Sequence, residues 1–334
     1  MTSEAKDRKP PLLSVVIPVF NEQEVIGLTH RRVVEALAPT GDFDLELVYV
    51  NDGSRDRSAM LLGEIAEQDP RVCVVSFARN FGHQAAVTAG LRHAAGDAVA
   101  ILDADLQDPP EVILEMLAKW REGYSVVYGI RRNRKESLLK RFCYDRFYRL
   151  QAAMSDFEIP RDSGDFCLLD RRVVEVINAL PEKNRFVRGL RAWCGGRQFG
   201  LAYDRAARAA GRSKYSPRQL IRFALDGIFN FSTFPLRLIF WMGRGFSVLA
   251  LAGLVFFLAM RITGFVFFGH RAAEVPGFTT VVLAIFLLSG VQLLSVGVLG
   301  EYLGRMYVEI KSRPVYLAEQ VRESRYRRAP AAPG

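Results

Sequence analysis

Acidic side chains directly follow an apolar run in the segment AILDADLQDPPEV, residues 100–112. If the apolar run is a strand, Asp103, Asp105 and Gln107 lie two residues apart and point to the same side, so their oxygens can converge on one ligand. The residues that follow predict a helix start with Asp108 as the N-cap, and the alternative interpretation of the acids is an ordinary strand-to-helix turn with acidic caps. Because Asp-x-Asp alone does not separate the two, the surrounding elements must decide.

Three further polar segments follow apolar runs that have the length of buried strands. They are NEQE at 21–24, NDGSRDRS at 51–58 and RNFGHQ at 79–84. From Pro11 to about Leu117, strand patterns alternate with helix patterns, which predicts an open parallel sheet covered by helices. Ligands of such sheets bind beyond the carboxyl ends of the strands. Polar segments gathered at that edge favour a binding site over unrelated turns.

Missing motifs and composition narrow the function classes. None of these strands is followed by Gly-x-Gly-x-x-Gly, and no Gly-x-x-x-x-Gly-Lys-Ser/Thr occurs, which disfavours a dinucleotide dehydrogenase and a P-loop NTPase. Widely spaced cysteines, and histidines without zinc-ligand spacing, indicate reduced thiols and no zinc site. The 334 residues include 45 Lys and Arg against 36 Asp and Glu, and this net charge of +9 suits nucleic acid, anionic lipid or a phosphorylated substrate.

Two apolar segments in the second half are long enough to cross a bilayer. Residues 246–268 and 277–299 each reach the roughly 20 apolar residues that a transmembrane helix needs. Basic residues crowd the outer flanks of both segments, whereas the short loop between them carries almost none. By the positive-inside rule both flanks are cytoplasmic, which agrees with the lack of a signal-peptide pattern before Pro10.

Residues 217–243 form a third apolar segment, with a polar stripe. A polar residue recurs every four positions from Arg218 to Asn230, among Leu, Ile and Phe. The pattern predicts two helices in the membrane interface, interrupted near Pro235. A buried helix pair of a soluble domain would show the same pattern, but the adjacent spans favour the interfacial interpretation.

Six motifs occur in a fixed order along about residues 12–310. They are SVVIPVFNEQEVI, NDGSRDRS, ILDADLQDPPE, SGDFCLLDRRVV, RFVRGLRAW and AGRSKYSPRQLIRFALDGI, and the two spans follow them. Together they resemble the polyprenyl-phosphate glycosyltransferases of glycosyltransferase family 2. The likeness is strongest to the bacterial undecaprenyl-phosphate glucosyltransferase type, and dolichol-phosphate mannose synthase is a relative. This combination is far more specific than Asp-x-Asp.

The resemblance implies a fold and a domain plan. The expected fold is α/β of the GT-A type, a Rossmann-like, mostly parallel sheet with helices on both faces, joined to interfacial amphipathic helices and a two-helix transmembrane hairpin. The expected parts are a flexible N-terminus (1–10), a cytosolic glycosyltransferase domain (11–216), interfacial helices (217–243), the hairpin (244–300) and a cytosolic C-terminal segment (301–334). The protein is thus expected to be multi-pass in the bacterial inner (plasma) membrane, with its catalytic domain in the cytoplasm.

The implied reaction is the inverting transfer of a sugar from a nucleotide-sugar to a polyprenyl phosphate. UDP-glucose and undecaprenyl phosphate are the expected substrates, and the product would serve cell-envelope glycan or lipid modification. Galactose, an N-acetylhexosamine, mannose and an aminoarabinose derivative are the alternative sugars. The sequence itself does not choose among them, because selectivity rests on a few hydrogen bonds made by loops.

The resemblance also assigns roles to single residues. The implied donor-binding residues are Pro18, Phe20, Asn21, Glu22, Asp52 and Asp103. Asp105, with Gln107, is the implied ligand of one Mg²⁺ or Mn²⁺, since hard cations prefer such oxygens. Asp103 and Asp165 are the implied catalytic carboxylates. Asp165, in DSGDF, matches a family position proposed either as a base or as a carboxylate that orients the sugar, and both roles stay open.

Two basic clusters match the two anions of this reaction. In GIRRNRKESLLKR we assign Arg131 and Arg134 to the acceptor phosphate, and in RAARAAGRSKY we assign Arg212 and Lys214 to the donor diphosphate. Arginine can bind phosphate oxygens in a bidentate manner, whereas lysine acts as a point charge. The alternative is a basic surface attracted to anionic lipid.

Three other protein classes fit the sequence less well. A processive polysaccharide synthase would need more spans and a Gln-x-x-Arg-Trp motif, where residues 190–193 read LRAW. A non-catalytic membrane adaptor would not need the acidic residues, and a nucleic-acid-binding protein would not place its basic charge beside membrane segments. The expected partners are therefore a nucleotide-sugar, a polyprenyl phosphate and membrane lipid, with homo-oligomer formation as a further expectation and no nucleic acid.

Overall fold

The structure is a computed structural model of the 334-residue chain. It describes residues 10–131, 163–183, 185–205, 234–263 and 278–326. The chain divides into two compact units. The first comprises residues 1–152, 157–223 and 312–334, and the second comprises residues 153–156 and 224–311.

A mixed sheet of eight strands forms the described part of the first unit. Its strands are β1 (Leu12–Val19), β2 (Asp44–Asn51), β3 (Val72–Phe77), β4 (Ala98–Ile101), β5 (Val126–Arg131), β6 (Ser163–Asp170), β7 (Gln198–Tyr203) and β8 (Ala318–Arg322). Their order across the sheet is β7-β5-β6-β4-β1-β2-β3-β8. Strands β6 and β8 run antiparallel to their neighbours, and the other pairs are parallel. The predicted mostly parallel α/β sheet is confirmed, and its arrangement is GT-A-like.

Helices cover both faces of this sheet, as expected. They are α1 (Ile26–Leu37), α2 (Ser58–Gln68), α3 (His83–His93), α4 (Val112–Arg121), α5 (Arg171–Ala179) and α6 (Val187–Trp193). Successive side chains of a strand point to opposite faces. Val15 therefore joins the core cluster that contains Leu62 of α2 and Ile113 of α4, whereas Val16 meets α3 on the other face. A Cβ on Gly90 would lie 2.1 Å from Val16 Cγ1, so glycine permits the close approach of α3.

Helix α4 begins later than the sequence pattern predicts. The residue that precedes its first turn is Glu111, whose side chain makes no capping hydrogen bond. Asp108 is buried and accepts hydrogen bonds from the Tyr203 hydroxyl at 2.5 Å and from Arg205 Nε at 3.0 Å. A carboxylate removed from water needs such charge-assisted partners. The prediction of Asp108 as an N-cap is therefore wrong.

After the two long helices of the second unit, the chain returns to the sheet. Strand β8 pairs with the edge of β3, and Ser324 beyond it donates a hydrogen bond to the carboxylate of Glu46. Glu46 is buried and also accepts hydrogen bonds from Ser14 Oγ and from the backbone N–H of Ala95. Part of the predicted C-terminal segment is thus an integral element of the first unit.

The second unit contains two long helices, α7 (Phe234–Thr263) and α8 (Phe278–Ile310). Within α8, Leu287–Ile310 is long and apolar enough to cross a membrane, by length and composition, and it is the one such segment among the described residues. Helix α7 continues without a break through the boundary predicted between residues 243 and 244. The predicted interfacial segment up to residue 233 and the loop between the spans lie outside the described residues. The transmembrane hairpin stays a prediction.

Candidate active site

The carboxyl ends of β1 to β4 meet at one edge of the sheet, and the amino end of β6 reaches the same edge because β6 is antiparallel to β4. Ile101 lies opposite Cys167 in that pair. Asp103 lies two residues beyond the end of β4, Asp165 lies two residues before Cys167 in β6, and the charge of Asp165 acts on Asp103. The sheet therefore brings the two predicted catalytic carboxylates together.

Asp165 accepts hydrogen bonds from side chains of two helices. His83 Nε2 and Gln84 Nε2, both of α3, lie 3.3 and 3.4 Å from its Oδ2. Arg188 of α6 donates to its Oδ1 through Nε at 3.3 Å and through Nη2 at 3.2 Å. Gln84 Oε1 also accepts a hydrogen bond from the backbone N–H of Val187 at 2.9 Å, which joins the start of α6 to α3. We call Asp165, His83, Gln84 and Arg188 the Asp165 network.

Charge compensation sets the protonation of the Asp165 network. Burial alone would raise the pKa of Asp165, but Arg188 and the hydrogen bond from His83 hold it well below the usual range. Burial also disfavours a charged imidazole, but the hydrogen bond to Asp165 and the charge of Asp103 raise the pKa of His83 to about 9. At neutral pH, Asp165 is therefore an anion and His83 a cation.

Asp103 is surrounded mainly by other carboxylates, unlike Asp165. Burial raises the pKa of Asp103, and the charges of Asp165, Asp108 and Asp105 raise it further, although His83 lowers it. Two carboxylates at one edge of the sheet thus have pKa values displaced in opposite directions. Such displacement is typical of sites where carboxylates fill different roles.

Asp105 and Gln107 lie in a tight turn after β4. The backbone N–H of Gln107 donates to Asp105 Oδ1 at 3.2 Å, and Leu106 has a left-handed φ of 56°, which is uncommon outside glycine. Asp105 and Gln107 are half-buried, so both side chains keep some contact with solvent. The described residues contain no group of three or more His, Cys, Asp or Glu that could hold a metal ion. A cation at Asp105 would therefore need further oxygen ligands from a bound substrate.

The predicted donor-binding residues after β1 lie in a loop braced against the loop after β2. The backbone N–H groups of Asn21 and Glu22 donate to Ser54 Oγ and Ser58 Oγ, each at 3.0 Å. Asn21 Oδ1 accepts a hydrogen bond from the backbone N–H of Arg55 at 2.8 Å, and Asn21 has a φ of 54°. The predicted set Pro18, Phe20, Asn21 and Glu22 thus occupies the end of β1 and this braced turn. Its role in binding a nucleoside stays a prediction.

Asp52 shapes the loop that leads into α3. Its Oδ1 accepts a hydrogen bond from the backbone N–H of Phe81 at 2.6 Å, and its Oδ2 accepts one from Gly82 at 2.9 Å. Burial raises the pKa of Asp52, although these two hydrogen bonds oppose the rise. Gly53 has a φ of 63°, and a Cβ there would lie 2.3 Å from the carbonyl carbon of Arg79, so this turn requires glycine. The predicted contact of Asp52 with a nucleoside stays a prediction.

Arg131, predicted to bind the acceptor phosphate, lies beside the carboxylates. Burial disfavours its charge, but a hydrogen bond with Tyr203 and the charges of Asp108 and Asp103 raise the pKa of Arg131. Its Nε is buried and has no hydrogen-bond partner among the described residues. The other three predicted phosphate-binding residues, Arg134, Arg212 and Lys214, lie outside the described residues.

Sequence reasoning missed the cations that surround Asp165. His83 and Gln84 end the motif RNFGHQ, and Arg188 and Arg191 belong to RFVRGLRAW. Both motifs can be recognised in the sequence, but their common contact with Asp165 cannot. Arg191 is 1% exposed and donates to the Gly164 carbonyl at 3.3 Å, so it adds a buried positive charge beside Asp165. The signal was incomplete because nothing local to either motif indicates that α3 and α6 meet at β6.

Comparisons with known proteins agree with this architecture. Residues 14–177 match the family described as Glycosyl transferase family 2. The chain is 44% identical to the glycosyltransferase YkcC of Bacillus subtilis (strain 168), over 92% of this chain and 93% of that protein. It is 42% identical to the SfII prophage-derived bactoprenol glucosyl transferase of Shigella flexneri, over 92% of this chain and 97% of that protein.

Solved structures also match this chain. The mannosyltransferase PcManGT from Pyrobaculum calidifontis, in complex with GDP-Man and Mn²⁺, is 17% identical with a TM-score of 0.42, over 91% of this chain and 87% of that chain. Glucosyl-3-phosphoglycerate synthase from Mycobacterium tuberculosis, in complex with Mn²⁺, UDP and phosphoglyceric acid, is 21% identical with a TM-score of 0.41, over 66% of this chain and 76% of that chain. On the family match and the near full-length relatives, the chain is a glycosyltransferase and belongs to glycosyltransferase family 2, in the group that includes the bactoprenol glucosyl transferases.

Proposed function

We propose that the protein transfers glucose from UDP-glucose to undecaprenyl phosphate with inversion at the anomeric carbon. The observation that carries the proposal is the pair of carboxylates, Asp103 and Asp165, at the carboxyl edge of a sheet whose chain is 42% identical to a bactoprenol glucosyl transferase over 92% of its length. The products would be undecaprenyl-phosphate-glucose and UDP.

The acceptor phosphate is already an anion, so the transfer needs no strong general base. Asp165 is poorly suited to be one, because both of its oxygens accept hydrogen bonds and its pKa is held low by Arg188 and His83. We therefore assign Asp165 to positioning and Asp103 to contact with the donor. Catalysis then depends on holding the two substrates in line and on stabilising the charge that develops in an oxocarbenium-like transition state.

One divalent cation, Mg²⁺ or Mn²⁺, belongs to this proposal. Asp105, with Gln107, would hold it, since half-buried carboxylate and amide oxygens suit a hard cation whose remaining ligands come from a diphosphate. When bound, the cation would neutralise negative charge on the leaving diphosphate.

The substrates would occupy the same edge of the sheet. In this proposal the loop from Pro18 to Glu22 and Asp52 hold the nucleoside, and Arg131 with Arg134 attracts the lipid phosphate. Arg212 and Lys214 would close over the donor diphosphate. Support comes from the loop after β1, which is braced against the loop after β2, and from Arg131, which interacts with Asp108 and Asp103.

Membrane attachment completes the proposal. The candidate span in α8 and the apolar helix α7 would form a hairpin in the bacterial inner membrane, with residues 11–216 in the cytoplasm and the segment before the hairpin in the interface. This arrangement brings the enzyme to an acceptor that is itself dissolved in the membrane. Association of copies through the hairpin is a further part of the proposal.

The test is a transfer assay with purified protein in detergent, undecaprenyl phosphate and a panel of radiolabelled nucleotide-sugars. We expect label in the lipid fraction from UDP-glucose, and none when the acceptor is omitted. Label from another nucleotide-sugar would show that a different sugar is transferred, in the same type of reaction. Polymer instead of a single-sugar lipid would indicate a processive synthase, and no label from any donor would contradict the proposed function.

A further inference from the structure

The two cations of the Asp165 network each retain a hydrogen-bond donor that the network does not use. His83 contacts Asp165 through Nε2 alone, and as an imidazolium it also carries a proton on Nδ1. Arg188 uses Nε and Nη2, and among the described residues Nη1 has no hydrogen bond. The side chains of His83 and Arg188 are 35% and 31% exposed, against 15% for Asp165. The side chains that carry the spare donors are therefore more exposed than that of Asp165.

Three cationic side chains compensate the charge of Asp165. The cations His83, Arg188 and Arg191 adjoin the carboxylates of Asp165 and Asp103. His83 is also the first residue of α3, where the N–H groups of the helix end carry partial positive charge. Asp52 also interacts with His83, and its carboxylate accepts hydrogen bonds from the loop before α3. An anionic oxygen would therefore find both charge and donors at this point.

We propose that His83 and Arg188, held by Asp165, bind phosphate oxygens of a substrate at this edge of the sheet. Asp165 is then a positioning residue, which keeps the imidazolium and the guanidinium side by side. The inference rests on the proposed function, because it takes the substrates to be phosphate esters. The bound phosphate oxygens could belong to the donor diphosphate or to the acceptor phosphate, and separate titrations with a ligand of each kind distinguish the two.

The first measurement follows binding without turnover. Full-length protein labelled with [¹⁵N]histidine is titrated in detergent with UDP and, separately, with citronellyl phosphate as an isoprenyl monophosphate. The His83 signal is assigned by its loss in His83→Gln, and it should stay protonated up to pH about 9, whereas burial lowers the pKa values of His30 and His93. A shift of the His83 signal with UDP assigns the pair to the donor, and a shift with citronellyl phosphate assigns it to the acceptor. No shift with either ligand would overturn the inference.

The second measurement uses variants. His83→Gln and Arg188→Gln should weaken binding of the assigned ligand about ten- to hundredfold, the usual effect of losing a charge-assisted contact. His93→Gln, at the other end of α3, is the matched control and should bind like the wild type. His83→Lys keeps the charge and should recover most of the affinity. Unchanged affinity in both His83→Gln and Arg188→Gln would overturn the inference.

Asp165→Asn tests the positioning role by a readout that simple loss of packing would not produce. Without its anionic partner, the pKa of His83 should fall from about 9 towards or below its ordinary 6.5, since burial then dominates. An unchanged His83 titration would remove Asp165 from this role. Phosphate binding that persists in a protein without transfer activity would contradict the proposed function and leave this inference standing.

Discussion

Asp103, just after β4, and Asp165, in β6, interact at one edge of the sheet, yet their surroundings differ. Asp165 is compensated by His83 and Arg188, whereas Asp103 has Asp105 and other carboxylates nearby. The neighbouring cations keep Asp165 ionised, whereas burial and the nearby negative charges raise the pKa of Asp103. A buried carboxylate that already has its cations has little tendency to take a proton from a substrate. The division of roles between the two therefore follows from their neighbours.

Replacing a single residue, Asp105, tests whether a divalent cation takes part in the reaction. Asp105→Asn should lower the transfer rate at least about a hundredfold, because a neutral amide holds a divalent cation at a diphosphate far less well. The fold should survive, since the side chain is half-buried at the edge of the sheet. Initial rates with and without EDTA, followed by addition of Mg²⁺ or Mn²⁺, provide the measurement. Full activity of the variant, or of the wild type in excess chelator, would exclude the assignment.

His83 should make thermal stability depend on pH in a defined direction. Its pKa rises from 6.5 to about 9 on folding, so the stability from its charge is complete below pH 6.5 and disappears as the pH rises through 9. Because the side chain is about one-third exposed, screening reduces the effect to roughly 1 kcal/mol, or about 2–4 °C in Tm. Melting curves of wild type and His83→Gln should thus converge above pH 9. A Tm difference that is constant across this pH range would contradict the assignment, and His93→Gln should not show the trend.

At the scale of elements, β8 closes the edge that β3 would otherwise expose. Unpaired strand edges invite association with other chains, and pairing removes that hazard. The strand also delivers Ser324 to the carboxylate of Glu46, deep between β1, β2 and the end of α3. Residues 312–326 therefore contribute to the stability of the unit that contains the candidate site.

Ser324→Ala should destabilise the first unit. The change leaves one oxygen of Glu46, which is 1% exposed, without its hydrogen-bond donor, and an unsatisfied buried acceptor costs about 1–3 kcal/mol. Urea denaturation followed by tryptophan fluorescence should show a lower midpoint than in the wild type. Glu319→Gln, an exposed change in β8, serves as the control. Equal midpoints for Ser324→Ala and the control would show that the Ser324 contact contributes nothing.

For the whole molecule, the basic flanks of the two apolar segments predict the topology. A reporter fused after residue 269 should be outside the cytoplasm, and one at the C-terminus should be inside, because the loop between the segments carries little positive charge. Paired alkaline phosphatase and green fluorescent protein fusions measure both positions. A C-terminus outside the cytoplasm would be incompatible with β8 joining a cytoplasmic sheet and would exclude the hairpin.

The sequence by itself determined the sheet and the edge at which its polar segments gather. Alternating strand and helix patterns are local, and parallel strands necessarily bring their carboxyl ends to one side, so Asp52, Asp103 and Asp105 could be placed without coordinates. The family could also be inferred from the sequence, because its motifs are short and contiguous.

Only the tertiary structure decided which groups compensate which charges. The local pattern at Asp108 predicts a helix cap, but Tyr203 at the end of β7 and Arg205 just beyond it hold Asp108 as a buried carboxylate. The pairing of His83 with Asp165 depends on α3 meeting β6, and the pairing of β8 with β3 depends on the chain returning after two long helices. These contacts join residues far apart in the chain, so no local period or spacing encodes them. The physical reason is that a buried charge is stabilised by whichever partner the completed fold brings within reach.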